Sequence, residues 1–233
     1  MDQIKKQCRN SSSEKPSVHF ILHTVAYGLA WALDLVHTAA YVCRMSSSGH
    51  KQRLGRNDWV LAGMRALVRG GIQAVKVESL ARDIGTTKGS FYWHFKDLAE
   101  LHQTMLELWE HLATKAITAA VKGSGLDGRD QIFLLVDMVS IRPGDAYGGV
   151  EIEPALRDWG RIDPRARAVV ERVDRQRLAD LQDFLGAAGV KVAELETKAH
   201  LIYAAVVGLE NLRMTTGAEM GPPLRALVAR LIE

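Results

Sequence analysis

Apolar residues recur along the second half and middle of the chain at the three- and four-residue spacing of amphipathic helices. This pattern predicts helices at 56–69, 77–84, 88–95, 97–121, 127–142, 151–160, 163–186, 192–214 and 222–231. No stretch of useful length alternates between apolar and polar residues, as a half-buried strand would. The pattern therefore predicts an all-α protein.

The second and third predicted helices are short and close together. The apolar positions of the first of them fall on one face, at Val77, Leu80, Ala81 and Ile84. Gly85 stands where a helix commonly ends, and Thr87 can cap the helix after it. Two short helices joined by a glycine-containing turn form a unit that reads the major groove of DNA.

The predicted helix at 97–121 has apolar residues on two sides. Asp97 is the expected N-cap, and Glu100 completes a variant of the capping box. One apolar strip is formed by Leu98, Leu101, Met105, Leu108 and Leu112, and a second by Leu106, Trp109, Ala113 and Ala116. A helix with two apolar sides must pack on both of them.

Charge divides the chain unevenly. Residues 51–96 hold nine basic and three acidic residues, a net charge of +6, whereas residues 97–233 hold 16 basic and 21 acidic residues, a net charge of −5. A basic stretch joined to an acidic body fits a polyanionic partner for one part of the chain. A solvated charged surface would give the same counts, so charge alone leaves both interpretations open.

Catalytic and metal-binding patterns are missing from the sequence. The P-loop, H-E-x-x-H and G-x-S-x-G motifs do not occur. The two cysteines, Cys8 and Cys43, precede residue 50, which excludes a cysteine zinc site in the body and agrees with a cytoplasmic location. We expect no enzyme activity, no metal and no cofactor.

The segment 77–110 carries a longer match. The matching residues are Leu80-Ala81, Ile84-Gly85, Gly89-Ser90, Phe91-Tyr92, Trp93-His94-Phe95 and Leu101, in an order and spacing that run without a gap. The segment resembles the DNA-binding signature of the TetR (tetracycline repressor) family of transcriptional regulators. Residues 122–233 match the family only in layout.

The resemblance implies an all-α fold of about nine helices, a homodimer, a palindromic operator in double-stranded DNA and release by a small-molecule effector. It implies a helix-turn-helix domain at 54–114, with its motif at 77–96, and a ligand-binding and dimerisation domain at 115–233. The remaining hypotheses are a ligand-sensing helical adaptor without DNA binding and, less favoured, an enzyme.

Two positions depart from the family pattern. The family commonly has Thr or Ser where this chain has Val75-Lys76, which removes a helix cap. The family usually has Lys at the position of Leu98, so one phosphate contact is missing, and Lys96 is a candidate replacement.

Eight residues in and beside the motif are candidates for contact with DNA. They are Lys76, Lys88, Gly89, Ser90, Tyr92, Trp93, His94 and Lys96. Gly89 lets the backbone approach DNA closely, and Tyr92 resembles a family tyrosine that binds phosphate. A core aromatic is the alternative for Tyr92. Phe91 and Phe95 are predicted to be core residues, and Trp93 to face outward.

Candidate liners of an effector pocket lie in the helices that follow. They are Met105, Trp109, Met138, Tyr147, Trp159, His200 and Tyr203. Ordinary core packing is the alternative for each. The charged run at 172–183 is predicted to be a solvated helix face. Tyr203, Val206, Val207 and Leu209 are candidates for the dimer face, with packing inside one chain as an equal alternative.

The beginning of the chain allows three interpretations. Residues 17–43 contain no Lys or Arg and one acid, Asp34. They could form a membrane-spanning helix, a signal peptide, or the translation of a region upstream of a natural start at Met45. Asp34 and three histidines weaken the membrane interpretation, and export would separate the motif from DNA. An extension at 1–50 with a misplaced start is favoured, and a membrane or core-packing helix is the runner-up.

Overall fold

The computed structural model describes residues 54–141 and 149–233, and over these ranges the chain is helical with no strand. The helices are α1 (Arg56–Gly70), α2 (Val77–Asp83), α3 (Lys88–Phe91), α4 (Leu98–Glu110), α5 (Ala116–Lys122), α6 (Gly128–Ser140), α7 (Ile152–Ile162), α8 (Pro164–Ala187), α9 (Val192–Thr216) and α10 (Gly221–Leu231). The all-α prediction is confirmed. The interpretations of residues 1–50 lie outside the described residues. Within them, no helix combines the length and apolarity that crossing a membrane requires.

Helix caps fix several of these boundaries. The Asp97 Oδ1 accepts a hydrogen bond from the Glu100 backbone N–H at 2.9 Å, and Asp127 caps α6 in the same way. The Glu100 carboxylate accepts from the Lys96 N–H at 2.7 Å, so the capping box closes one residue earlier than the standard pattern. Lys76 begins α2 without a side-chain cap, as the departure at Val75-Lys76 predicts.

The third helix is shorter than predicted. Regular α-helix ends at Phe91 rather than at residue 95, and the chain continues in tighter turns. The His94 N–H donates to the Phe91 carbonyl three residues back, at 2.9 Å. The Phe95 N–H donates to the same carbonyl, four residues back, at 3.0 Å, so Phe91 and Phe95 lie one α-helical turn apart and both are buried.

A wider turn interrupts the long helix that was predicted at 97–121. Helix α4 continues into a π-helical turn at His111–Lys115 and then into α5, so that Leu98–Lys122 forms one rod with a change of winding in it. The buried residues Leu101, Met105 and Trp109 follow steps of four, and the next buried residue, Thr114, follows a step of five. The π-helical turn absorbs this extra residue.

One apolar core joins the first helices to the body. It contains Trp59 of α1, Phe91, Met105 of α4, Leu156 of α7 and residues at the start of α8. Helices α1 and α4 approach so closely that a Cβ at Gly63 would lie 2.7 Å from the Met105 sulfur. The first four helices therefore share packing with α7 and α8.

Candidate nucleic-acid interface

Two buried phenylalanines anchor the segment that carries the candidate contacts. Phe91 and Phe95 are fully buried and stack with their ring centroids 5.3 Å apart. Phe91 also meets the ring of Trp59 edge-on at 5.2 Å. These aromatic contacts fix the segment against α1.

The side chains between the two anchors point outward. Trp93 is 87% exposed and Tyr92 is 55% exposed, which excludes a core position for Tyr92. Among the other candidates, Ser90 and His94 are half-buried, and the rest are exposed, namely Lys76, Lys88, Gly89 and Lys96. The structure thus brings all eight predicted residues to the surface around α2 and α3.

Arg56, the first residue of α1, contacts the end of this segment. Its guanidinium donates to the carbonyl of His94, to the Glu100 carboxylate at 2.8 Å and to the Thr104 hydroxyl at 3.1 Å. It also lies 4.1 Å from the centre of the Phe95 ring. Arg56 therefore ties residues 88–96, called here the reading segment, to α4. Sequence reasoning missed this role, because the partners of Arg56 lie 38 to 48 residues away in the chain.

The cations of the surface differ in their partners. Lys88 pairs with Glu78 of α2 at 2.5 Å. This hydrogen bond lowers the pKa of Glu78 and raises the pKa of Lys88. Lys76, Arg82 and Lys96 have no ion-pair partner among the described residues. Leu98, at the position where the family has Lys, packs against the core instead.

Buried charges occupy the middle of the body. Arg177 of α8 contacts the two oxygens of Glu153 at 2.9 and 3.0 Å. Arg157 of α7 contacts Glu153 and both oxygens of Asp174. The Tyr203 hydroxyl of α9 donates to Asp174 at 2.6 Å and accepts from both arginines. These five residues, called here the body network, join α7, α8 and α9.

The body network holds its acids ionised. Burial alone would raise the pKa of Glu153, but the two arginines outweigh burial and lower it. Burial raises the pKa of Tyr203 to about 12, so the hydroxyl keeps its proton. Burial and the nearby charge of Glu153 raise the pKa of Glu210 to about 7.

The structure disperses the predicted pocket residues. Met105, Trp109 and Trp159 belong to the shared core, and Met138 is buried on α6. Tyr203 joins the body network rather than an apolar pocket or an outer dimer face. Tyr147 lies outside the described residues.

The prediction that His200 lines a pocket is wrong, because His200 lies on the outer face of α9. It is exposed and its Nδ1 contacts the Glu196 carbonyl, so it lines no interior site. The prediction that the run at 172–183 is a solvated helix face is also wrong for two of its residues. Arg177 is in the body network, and Asp180 is buried and accepts from the Thr118 hydroxyl at 2.7 Å.

Contacts connect the body network to the first four helices. The Nε of Arg177 donates to the Ala113 carbonyl, inside the π-helical turn, at 3.3 Å. Arg172 pairs with Glu110 at the end of α4 at 2.8 Å. On α7, Trp159 lies edge-on to His102 of α4 at 5.2 Å, and burial lowers the pKa of that histidine. Helix α7 thus carries both network residues, Glu153 and Arg157, and the core residue Trp159 that contacts α4.

Comparisons with known proteins agree with this geometry. Residues 60–104 match the family model described as bacterial regulatory proteins, tetR family. No curated protein matches the sequence. Among solved structures, one described as a TetR-family transcriptional regulator from Rhodococcus sp. is 20% identical, with a TM-score of 0.61 over 76% of this chain and 99% of the other.

Two more solved structures have the same fold. A transcriptional regulator from Rhodococcus sp. Rha1 is 17% identical, with a TM-score of 0.64 over 77% of this chain and 96% of the other. The reduced form of Escherichia coli NemR is 18% identical, with a TM-score of 0.59 over 76% and 94%. The helix-turn-helix segment is therefore similar in sequence to the tetR family of bacterial regulatory proteins, and the chain shares its fold with solved structures described as transcriptional regulators.

Proposed function

We propose that this protein represses transcription by binding a palindromic DNA operator as a homodimer, and that a small molecule bound in the body releases it. The observation that carries the DNA-binding part is the contrast between Phe91 and Phe95, both buried, and the outward side chains between them. This arrangement presents a rigid, protruding segment of the size that enters a major groove.

The candidate contacts divide into two roles. Lys76, Lys88 and Lys96 neutralise phosphates, which gives affinity without reading sequence. Gly89 lets the backbone come close to the DNA, and the neighbouring Ser90, Tyr92, Trp93 and His94 contact base edges or phosphates. Phosphate contacts make the affinity fall steeply with salt.

The homodimer is proposed to form on the outer side of α9. Leu201 and Leu212 are 50% and 52% exposed there, and Ala204 and Gly208 lie between them on the same face. An apolar stripe on one helix suits close packing against the same helix of a second copy. The pair would present two reading segments to successive turns of DNA, about 34–36 Å apart or slightly more.

The effector is proposed to act through α7 and the π-helical turn. A ligand that shifts α7 or the body network moves Trp159 against α4 and disturbs the Arg177 contact with Ala113. Either movement changes the spacing of the two reading segments. A complete switch needs a ligand that prefers the released state by about 5.5 kcal/mol.

The test starts by selecting bound sequences from random duplex DNA. Affinity for a selected palindrome is then measured by fluorescence anisotropy over a range of salt concentrations. The variant combining Tyr92→Phe with Lys96→Ala should bind more weakly, with a shallower salt dependence, and Lys191→Ala on the body serves as the control. No enrichment of any DNA would overturn the proposal and favour the adaptor without DNA binding.

A further inference from the structure

A cavity of about 430 Å³ opens between the end of α6, the end of α9 and the start of α10. Its walls include Ile141, Arg213, Ala218 and Met220. The volume lies in the range of pockets that hold small molecules. The lining includes none of the five body network residues and none of the candidate DNA-contact residues.

Arg213 is the buried cation in this wall. The residue is 5% exposed. One terminal nitrogen donates to the Ser140 carbonyl at 3.2 Å and the other to the Met220 sulfur at 3.3 Å, a weak acceptor. The Nε is buried and donates to no group among the residues that the structure describes. A guanidinium has five N–H donors, so several remain available.

No carboxylate lies within ion-pair distance of Arg213 among the described residues. A buried charge without a counter-charge is costly, and an apolar side chain would fill the same space without that cost. A bound anion would supply the missing counter-charge, and this would explain why an arginine occupies the position. Arginine suits carboxylates, because its planar fork can donate two parallel hydrogen bonds to them.

We propose that this cavity binds an amphipathic monocarboxylate, with its carboxylate on Arg213 and its apolar part against Ile141, Ala218 and Met220. The start of α10 adds the positive end of an 11-residue helix. Its residues Pro222 and Pro223 have no N–H to donate, so this end lacks the row of donors that holds a phosphate. The donors present therefore match a carboxylate better than a phosphate.

Two acids also line the cavity. Asp137 is neutralised by Arg225 at 2.6 Å, and Glu219 is exposed to water, which screens its charge. Neither acid contacts Arg213 within ion-pair distance. Among the residues that line the cavity, Arg213 is therefore the buried charge that an incoming carboxylate would meet.

Calorimetric titration of the full chain with hexanoate and benzoate tests this site without DNA. Hexanamide is the matched uncharged probe, and inorganic phosphate is the competing anion. We expect saturable binding of the carboxylates and at least about tenfold weaker binding of hexanamide and phosphate, since a hydrogen bond to a charged group contributes about 1.5–3 kcal/mol.

Three variants decide whether Arg213 is responsible. Arg213→Gln should weaken hexanoate binding by about ten- to hundredfold, and Ala218→Trp should block it by filling the cavity while leaving the arginine in place. Arg230→Gln removes the same charge from an exposed position on α10 and should bind hexanoate like the wild type.

Two results would overturn the proposal: no carboxylate binding by the wild type, or equal binding by Ala218→Trp. The Ala218→Trp variant keeps the test valid if Arg213→Gln does not fold. Because binding is measured on the free protein, these outcomes are independent of whether the chain binds an operator.

Discussion

The ammonium of Lys88 lies 2.5 Å from a carboxylate oxygen of Glu78, so the first cation of α3 is paired with an acid of α2. Both side chains are exposed at the surface proposed to meet DNA. In a DNA complex, Glu78 and a phosphate would compete for the same ammonium. Glu78 therefore opposes binding to any sequence, because its own charge repels phosphate as well.

Replacing Glu78 with Gln should raise the affinity for non-specific duplex DNA several-fold. The change frees Lys88 for phosphate, and the slope of log affinity against log salt should steepen by about 0.9. Anisotropy titrations at four salt concentrations measure both quantities. The control is Glu194→Gln, which removes a partly exposed acid paired with Lys198 at 2.6 Å on the body. An unchanged slope and affinity would show that Glu78 does not keep Lys88 from phosphate.

Substitutions of Phe91 and Trp93 should affect stability and DNA binding separately. Phe91→Ala removes a fully buried ring and should lower the free energy of unfolding by about 3–5 kcal/mol. Trp93→Ala removes an exposed ring, so stability should stay within about 0.5 kcal/mol while operator affinity falls. Urea denaturation and anisotropy measure the two effects. A strongly destabilised Trp93→Ala would contradict the outward position of this ring.

Arg177→Met should destabilise the body by about 3 kcal/mol, because it leaves the buried Glu153 with one arginine instead of two. Adding Glu153→Gln should recover part of the loss, so the two changes are not additive. Urea denaturation at equal protein concentration gives these values. Arg161→Met, at an exposed position of the same helix pair, is the control and should change stability by less than about 0.5 kcal/mol. Additive losses would mean that the two residues act separately.

Glu210 should make stability depend on pH. Its pKa is about 7 in the folded chain and is expected near 4.5 when unfolded. The folded state therefore holds the proton more tightly, and stability is lost as pH rises from about 4.5 through 7. Glu210→Gln should unfold like the wild type near pH 4.5 and be more stable at pH 8, by a few kcal/mol at most, since one pKa unit corresponds to about 1.4 kcal/mol. A difference that does not grow with pH would contradict the raised pKa.

Local pattern was enough to predict much of the fold and which residues of the helix-turn-helix segment lie at the surface. Helix periodicity and caps identify the helices, and the four-residue spacing of Phe91 and Phe95 indicates a shared buried side with Trp93 opposite. The predicted length of α3 was wrong, because its last turn depends on how Phe91 meets Trp59 edge-on and stacks on Phe95. That contact joins residues far apart in the chain.

The interior of the body was harder to predict. Helix α9 is apolar on nearly all sides, so its pattern does not tell which residues face inward, and His200 was placed wrongly for this reason. The charged run at 172–183 resembles a solvated face unless Glu153 and Tyr203 are known to lie beside it. Those partners come from α7 and α9, and only the relative rotation of three helices brings them together.

The π-helical turn at His111–Lys115 places one extra residue in the rod that joins the two functional parts of the chain. Each residue of an α-helix turns the chain by about 100° around its axis. The DNA-facing half of the rod is thus out of phase with the body half by roughly that angle. If the turn were rewound as ordinary α-helix, the reading segment would rotate around the rod in a single discrete step, and the proposed dimer could no longer contact both half-sites of an operator.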